Sequence, residues 1–242
     1  MTRRRKGGWW TVLAIAAGVL AGAGALDLLQ VDDALTATDR RIIQSFLAAH
    51  RITVPPADAG YAAHVRFLRD VQAALIDAVP MGDGIPLGHP REPVDVLSAP
   101  MALCFDRSRV IEKVARFAGL ASRHVFLLQD THGESMLADL LSRGEQSHAV
   151  TEVRTERGWL LVDSNVKWMS LDRAGAPLSA GDVRRQVASG DSAFEESPPD
   201  FYDQPYVYVY GLYSRHGGFY PPYHLIPNVN FAELATNITG RR

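Results

Sequence analysis

The spacing of the hydrophobic residues changes near residue 120, and this change constrains the fold more than any other feature. Up to that point apolar residues recur every three or four positions, which is typical of amphipathic helices. Beyond it the apolar residues form short runs or alternate with polar ones, as they do in strands. Because the helical segments come first and the strands follow, the pattern predicts an α+β fold with an antiparallel sheet.

Three helices are predicted ahead of the sheet. They span about 32–54, Ala57–Ala78 and Cys104–Ala118. The apolar stripe of the third includes Ile111 and Val114, and Gly119 follows it as a C-terminal cap. Residues 80–100 are rich in proline and glycine, which predicts an irregular loop.

Four strands are predicted downstream, with a short helix before the last of them. The strands span His124–Gln129, Ser147–Thr155, Trp159–Asp163 and Tyr206–Tyr213, the helix spans Ala180–Ser189, and a polar insertion occupies 130–146. The turn between the second and third strands is supplied by Glu156-Arg157-Gly158. If the chain turns at Glu156 and Arg157, Val150 faces Asp163 across the hairpin.

The N-terminus predicts export. A basic cluster from Arg3 to Lys6 precedes an uncharged stretch from Gly7 to Leu26, which matches the ~20 residues needed to cross a bilayer. The segment 1–31 is therefore predicted to be a transmembrane anchor, or a signal peptide cleaved near Ala21-Gly22-Ala23 or Ala23-Gly24-Ala25. Both alternatives place a single domain, 32–242, outside the cytoplasm, which in bacteria is the periplasm. A buried helix of a cytoplasmic protein is the remaining alternative.

Composition excludes some classes of function. The chain has 25 Lys and Arg against 27 Asp and Glu, a net charge of −2, which argues against a nucleic-acid binder that neutralises phosphates. It has one cysteine, Cys104, so no intramolecular disulfide can form. A lone thiol is either a small buried hydrophobe or a reactive group.

The position of Cys104 favours a reactive thiol. It lies in the first turn of its predicted helix, where backbone N–H groups and the helix dipole favour the thiolate. The same N–H groups could form part of an oxyanion hole. The alternative is a core cysteine packed under Leu103 and Phe105.

Two downstream residues could complete a site with Cys104. A thiolate nucleophile needs a base, and the base needs a group that orients it. His148 opens a predicted strand, and Asp163 closes its hairpin partner as a diagonal neighbour on the same face, provided that the turn has two residues. Taken singly, His148 could be structural, and Asp163, which precedes Ser-Asn, could simply begin a turn.

Three blocks of sequence are similar to those of transglutaminase-like domains. Leu103–Arg109 and then Gly119–Val125 resemble the nucleophile helix and the following strand of these domains. Ser147–Val153 resembles their His-Ala-x-x-Glu-Val strand, and Gly158–Asp163 resembles their Gly-Trp-x-x-x-Asp strand. The resemblance covers about residues 95–170.

The resemblance implies a papain-like core in which the Cys104 helix packs on an antiparallel sheet. By the same similarity Cys104 is the nucleophile, His148 the general base and acid, and Asp163 the orienting residue, with no cofactor. The residues just before Cys104 differ from those of many members, so the second oxyanion donor is unassigned. His132 in the insertion is an alternative base.

The function implied is that of an exported thiol enzyme acting on an amide or acyl bond. Transfer to water makes it a cysteine protease or amidase, which we favour, and transfer to an amine makes it a transamidase. The expected partners are a peptide, protein or glycan-linked substrate and, through the N-terminal segment, a membrane. Related bacterial proteins with a similar Cys-x-Asp-Arg-Ser motif are associated with surface-polysaccharide loci, which points to the cell envelope.

Two alternatives remain open. The first is a catalytically inactive binding module of the cell envelope with the same fold. The second is acyl transfer from a small thioester donor, as in the arylamine acetyltransferases, which share a Cys–His–Asp arrangement.

Three further features have alternative interpretations. Asp106, Arg107 and Arg109 are predicted to form a solvated face with i,i+3 ion pairs, or else an arginine among them binds an acidic group of the substrate. The histidines lack metal-ligand spacing, so no metal site is predicted. The tail from Tyr206 through Arg215-His216 to Tyr223 is predicted to be core strand and turn, or else a groove for a sugar or peptide.

Overall fold

The computed structural model describes residues 29–86, 88–130, 146–190, 193–214 and 228–239. Several features named above lie outside these ranges: the basic cluster Arg3 to Lys6, the segment 7–26, most of the insertion 130–146 with His132, Arg215-His216 and the segment 219–223. Within the described ranges, no helix has both the length and the apolar character needed to cross a bilayer.

The first half of the domain is helical, as predicted. The helices are α1 (Ala37–Ala49), α2 (Tyr61–Ala78), α3 (Pro93–Ser98) and α4 (Cys104–Phe117). Thr36 caps α1 by accepting the N–H of Asp39, whose carboxylate accepts the N–H of Thr36 in return. The prediction of an irregular loop over 80–100 was wrong for α3, where Pro93 occupies the first turn, a position in which a helix tolerates proline.

The second half contains a four-stranded antiparallel sheet, and the prediction of an α+β fold is confirmed. The elements are β1 (Ser122–Gln129), β2 (Ser147–Thr155), β3 (Gly158–Val162), α5 (Ala180–Ser189), a 3-10 turn (Asp200–Asp203), β4 (Tyr206–Tyr210), β5 (Leu212–Tyr213), β6 (Asn228–Val229) and α6 (Phe231–Thr239). The strand order is β3-β2-β1-β4, and β5 and β6 form a separate pair. In the β2–β3 hairpin Thr155 pairs with Gly158, which confirms the two-residue turn.

Both faces of the sheet are buried. On one face Val153, Leu160 and Val162 pack against α4 and the helices behind it. On the other face Val150 and Leu161 pack with α5 and with a group of tyrosines from the C-terminal part of the chain. Successive residues of β3 therefore enter different cores, as the two-residue period of a strand requires.

The polar side of α4 is buried, so the prediction of a solvated face was wrong. Asp106, Arg107 and Arg109 are all nearly inaccessible to solvent, although the predicted stripe of Ile111 and Val114 is also buried. The helix is central because α1, α2 and α3 cover the side that faces away from the sheet. Its charged residues are stabilised instead by ion pairs, such as those of Arg109 with the half-buried Glu92 and the buried Glu112.

The predicted strand Tyr206–Tyr213 is interrupted at Gly211. The residue has a φ of +71°, and a Cβ there would lie 2.5 Å from the backbone oxygen of Asn230. The break ends β4 and lets β5 pair with β6. The sequence pattern did not predict the break, because the tyrosines on both sides of Gly211 have strong strand propensity.

Candidate active site

Asp106 anchors the start of α4, and thereby the position of Cys104. Its carboxylate accepts hydrogen bonds from the backbone N–H groups of Leu103 and Ile85, at 3.0 and 3.2 Å. It also accepts one from Nε of Arg91, at 3.0 Å. These bonds tie the loop before α4 to the first turn of the helix, so that the first helical residue, Cys104, is held at a defined place.

His148 and Asp163 are in contact. His148 is the second residue of β2, and Asp163 directly follows the last residue of β3. Nε2 of the imidazole lies 2.8 Å from Oδ2 of the carboxylate. The turn at Glu156 and Arg157, on which this prediction depended, sets the register that brings the two together.

The two oxygens of Asp163 have separate tasks. Oδ1 accepts the backbone N–H groups of Asn165 and Val166, at 2.6 and 3.0 Å, and so begins a turn. Oδ2 accepts hydrogen bonds from His148 and from the Tyr202 hydroxyl, the latter at 2.6 Å. The two explanations offered by the sequence, turn initiator and histidine partner, therefore both hold for one residue.

Tyr202 is a site residue that the sequence did not reveal. It lies in the 3-10 turn, is buried, and its hydroxyl holds the carboxylate on the side away from Asn165. Nothing in the polar stretch around it signals a contact with a residue so far back in the chain. Only the packing of this turn against the sheet brings the two together.

The thiol of Cys104 lies beside the imidazole of His148, and each group shifts the pKa of the other. Since Nε2 of the ring is taken by Asp163, Nδ1 is the nitrogen left for the thiol. The amide nitrogen of Asn165 lies 3.4 Å from the same Nδ1. His148 and Asp163 are buried, whereas Cys104 is a partly exposed residue, so it is the member of the group closest to solvent.

The pKa shifts favour the charged forms of Cys104 and His148. Burial alone raises the pKa of Cys104, but the hydrogen bond and charge of His148, with the backbone N–H groups of Ala149 and Phe105, lower it overall. Burial alone lowers the pKa of His148, but the charge and hydrogen bond of Asp163 outweigh this and raise it to about 10. The pKa of Asp163 is lowered, since the effect of burial is exceeded by those of His148 and Tyr202. These directions describe a thiolate beside an imidazolium.

Arg107 adds a buried positive charge at the rear of the site. Its Nη2 donates to Oδ1 of Asn165, at 2.5 Å, and its Nη1 donates to the carbonyl of Val79, at 3.3 Å. The guanidinium therefore positions Asn165 against His148 and lies within electrostatic range of Cys104 and Asp163. Because its outer nitrogens already have partners, the geometry favours a supporting role over capture of an acidic group.

A small cavity adjoins the thiol. It has a volume of about 30 Å³ and is bounded by Cys104, His148, Phe126 and Ser214, among others. The hydroxyl of Ser214 is buried and has no hydrogen-bond partner among the residues that the structure describes. The cavity has room for a group of about the size of one water molecule.

The fold and the site define a papain-like core, in which a cysteine at a helix start meets a histidine and a carboxylate on an antiparallel sheet. A family model for the transglutaminase-like superfamily matches residues 58–164, and the chain therefore carries a domain of that superfamily. The match includes Cys104, His148 and Asp163, and it begins ahead of α2, well before the 95–170 region in which the motifs lie. No curated protein and no solved structure matches the chain. In the described part of the chain, no group of three His, Cys, Asp or Glu residues could hold a metal ion.

Proposed function

We propose that this protein is an exported thiol enzyme that acts on an amide or acyl bond. Cys104 is the nucleophile, His148 the general base and acid, and Asp163 the residue that orients His148. The observation that supports this best is the imidazole between a partly exposed thiol and a buried carboxylate, with Nε2 2.8 Å from Oδ2. This is the order of groups that nucleophilic catalysis by a thiol requires.

The proposed reaction has two steps. The Cys104 thiolate attacks the carbonyl carbon, and the imidazolium of His148 gives its proton to the leaving amine as the C–N bond breaks. The resulting thioester is then attacked by water or by an amine, from which His148 takes a proton, and the C–S bond breaks to return Cys104 as the thiolate. Asp163 stays ionised throughout and stabilises the imidazolium.

The backbone N–H groups at the start of α4 are the proposed donors to the oxyanion. They lie beside Cys104 at the positive end of the helix, where negative charge is favoured. Hydrolysis is the proposed outcome, because a site open to water needs a special pocket before an amine can compete. This makes the protein a cysteine protease or amidase in preference to a transamidase.

The proposed place of action is the cell envelope. Support comes from the sequence, in which Arg3 to Lys6 precede the uncharged stretch from Gly7 to Leu26. A peptide, or a peptide or acyl group linked to a glycan, is the proposed substrate.

The pH dependence of Cys104 alkylation tests the proposal. Because the chain has one cysteine, modification by iodoacetamide reports on Cys104 alone. We expect rapid alkylation well below the free-thiol pKa of ~8.5, and a profile shifted upward in His148→Ala. His89→Ala, a change at an exposed histidine, serves as the matched control and should leave the profile unchanged.

A thiol that reacts slowly, or at the same rate with and without His148, would contradict the proposal that this protein is an enzyme. The inactive binding module would then be the better account of the fold. If the profile shifts as expected, amide and acyl substrates are the ones to screen.

A further inference from the structure

A second pocket lies at the far end of β2 from His148. Its volume is about 540 Å³, and β2, β3, β4, α5 and α6 all contribute to its lining. Arg154, which lines it, is six residues along β2 from His148, a separation of about 20 Å in a strand. Cys104, His148 and Asp163 are not part of its lining, so the pocket is separate from the candidate active site.

The pocket is strongly basic although the chain as a whole has a net charge of −2. Its lining holds Asp182 and the arginines Arg123, Arg154, Arg157, Arg184 and Arg185. Arg185 is paired with Asp182, and Arg123 with the buried carboxylate of Glu152. Arg154, Arg157 and Arg184 form no ion pair with any carboxylate in the described part of the chain, so their guanidinium groups remain available to a ligand.

The floor of the pocket is rigid. Arg123 is only 7% exposed, and its guanidinium is sandwiched between the rings of Trp159 and Tyr210, at 4.0 and 3.7 Å from their centroids. Its Nε and Nη2 both donate to Oε2 of Glu152, at 2.8 and 2.5 Å. Since this residue is held on three sides, the floor does not need to be ordered when a ligand binds.

All three of these arginines lie over aromatic rings, and the guanidinium of Arg157 is 4.5 Å from the centroid of Tyr61. The guanidinium of Arg154 is 5.6 Å from the centroid of Trp159, and that of Arg184 is 5.4 Å from the centroid of Tyr208. Both side chains are otherwise exposed at the rim. The rings restrict these long side chains near the opening, where their donors can be used by a ligand.

We propose that this pocket binds a small molecule through a phosphate or carboxylate group held by Arg154 and Arg184. Guanidinium groups match the paired oxygens of both kinds of anion. The volume lies in the range of small-molecule sites, and the concave shape suits a compact ligand better than a flat bilayer surface. The ligand class is therefore an anion of about the size of a sugar phosphate or a uronic acid.

Isothermal titration calorimetry on the full-length protein, in phosphate-free buffer, tests this inference. The probes are glucose 6-phosphate, glucuronate and, as a neutral control, glucose. We expect one or both anions to bind and glucose not to bind. Binding of the first anion alone assigns a phosphate ester, and binding of the second alone assigns a carboxylate.

The variant Arg154→Gln/Arg184→Gln should weaken that binding about a hundredfold, at about tenfold for each charged hydrogen bond lost. The matched control is Arg40→Gln/Arg66→Gln, which removes two exposed arginines elsewhere and should bind as the unchanged protein does. An unchanged rate of Cys104 alkylation shows that each variant is folded. Should the double variant not fold, Arg184→Gln alone gives the same test at one exposed residue.

Two results would overturn the inference. The first is that neither anion binds. If the protein then sediments with vesicles of phosphatidylglycerol and phosphatidylcholine in a manner that depends on Arg154 and Arg184, the basic surface belongs to a bilayer contact instead. The second is that both pairs of substitutions weaken binding equally, which would mean that only the overall charge matters.

Discussion

The described part of the protein contains two histidine–carboxylate pairs in which both residues are buried, with the same distance between the paired atoms. His148 and Asp163 lie 2.8 Å apart through Nε2 and Oδ2, and His124 and Glu112 lie 2.8 Å apart through Nδ1 and Oε1. By distance and chemistry alone, either could serve as a base with its orienting residue. Only the first is proposed to do so.

The second nitrogen of each ring makes the difference. In His148 it faces the partly exposed thiol of Cys104. In His124 it is buried and has no partner among the described residues, and the ring is stacked on Tyr213 at a centroid distance of 4.0 Å. His124 and Glu112 are both 0% exposed, so no reactant reaches them.

His124 and Glu112, which we call the sealed pair because both are buried, join α4 to the sheet. Glu112 lies in α4 and accepts hydrogen bonds from Tyr213, at 2.8 Å, and from Arg109, at 3.4 Å, in addition to its contact with His124 in β1. The comparison teaches that a histidine–carboxylate pair is not itself a site. It becomes one where the free nitrogen meets a nucleophile that solvent can reach.

The largest expected effect comes from breaking the sealed pair. Glu112→Ala leaves His124, Tyr213 and Arg109 without their shared acceptor, and removing one partner of a buried charge cluster costs about 3–5 kcal/mol. We expect the free energy of unfolding, measured with urea at pH 7, to fall by that amount. Glu196→Ala, at an exposed glutamate, is the control and should change it by less than about 0.5 kcal/mol.

The milder Glu112→Gln keeps the size of the side chain and allows the comparison to be made on folded protein. If the two pairs are functionally distinct, Cys104 of this variant is alkylated at the same rate as Cys104 of the unchanged protein. A loss of reactivity would mean that the sealed pair also supports the thiolate.

His148 and Asp163 form the open pair, which adjoins the partly exposed Cys104. Breaking this pair should change the rate at which Cys104 is alkylated. Asp163→Asn removes the charge that raises the pKa of His148, so the imidazolium no longer stabilises the thiolate of Cys104. At pH 6.5 we expect alkylation at least about tenfold slower than in the unchanged protein. Asp58→Asn, at an exposed aspartate, is the matched control. Equal rates in both variants would show that Asp163 has only its turn-forming role.

The smallest expected effect is a pH dependence of stability that arises next to the sealed pair. Burial, reinforced by the charges of Glu112 and Asp33, raises the pKa of Glu233 to about 9, and this carboxyl accepts the backbone N–H of His124. Because a carboxyl in the unfolded chain has a pKa of ~4.3, the folded state is penalised as pH rises from ~4.3 towards 9. The neutral variant Glu233→Gln avoids this penalty.

Urea unfolding of both proteins at pH 6 and pH 7 measures this effect. Between these two values the unchanged protein should lose about 1 kcal/mol relative to Glu233→Gln, below the limit of about 1.4 kcal/mol per pH unit for one proton. Parallel stability curves would mean that Glu233 is ionised in the folded protein at neutral pH.

The parts of the molecule that local pattern controls were predicted closely. The bounds of β2 and α5 agree with the prediction, and α4 begins at Cys104 as expected. The two-residue turn at Glu156 and Arg157 was enough to place His148 and Asp163 on one face, because strand period and turn length together determine register.

The parts of the molecule that depend on packing between distant residues were not predicted. The burial of Asp106 and Arg107 could not be predicted from α4, because a polar helix face looks the same whether water or other helices cover it. Tyr202 contacts the carboxylate of Asp163, and Asn165 contacts the imidazole of His148. Both contacts join residues that are far apart in the chain, so no local signal encodes them.

The sequence by itself determined the class of fold, the helix that begins at Cys104 and the hairpin that joins His148 to Asp163. These follow from hydrophobic period, capping and turn length, all of which act over a few residues. Only the tertiary structure decided which charges are buried and where a basic pocket opens. Those depend on contacts between residues far apart in the chain, whose free energy no local pattern records.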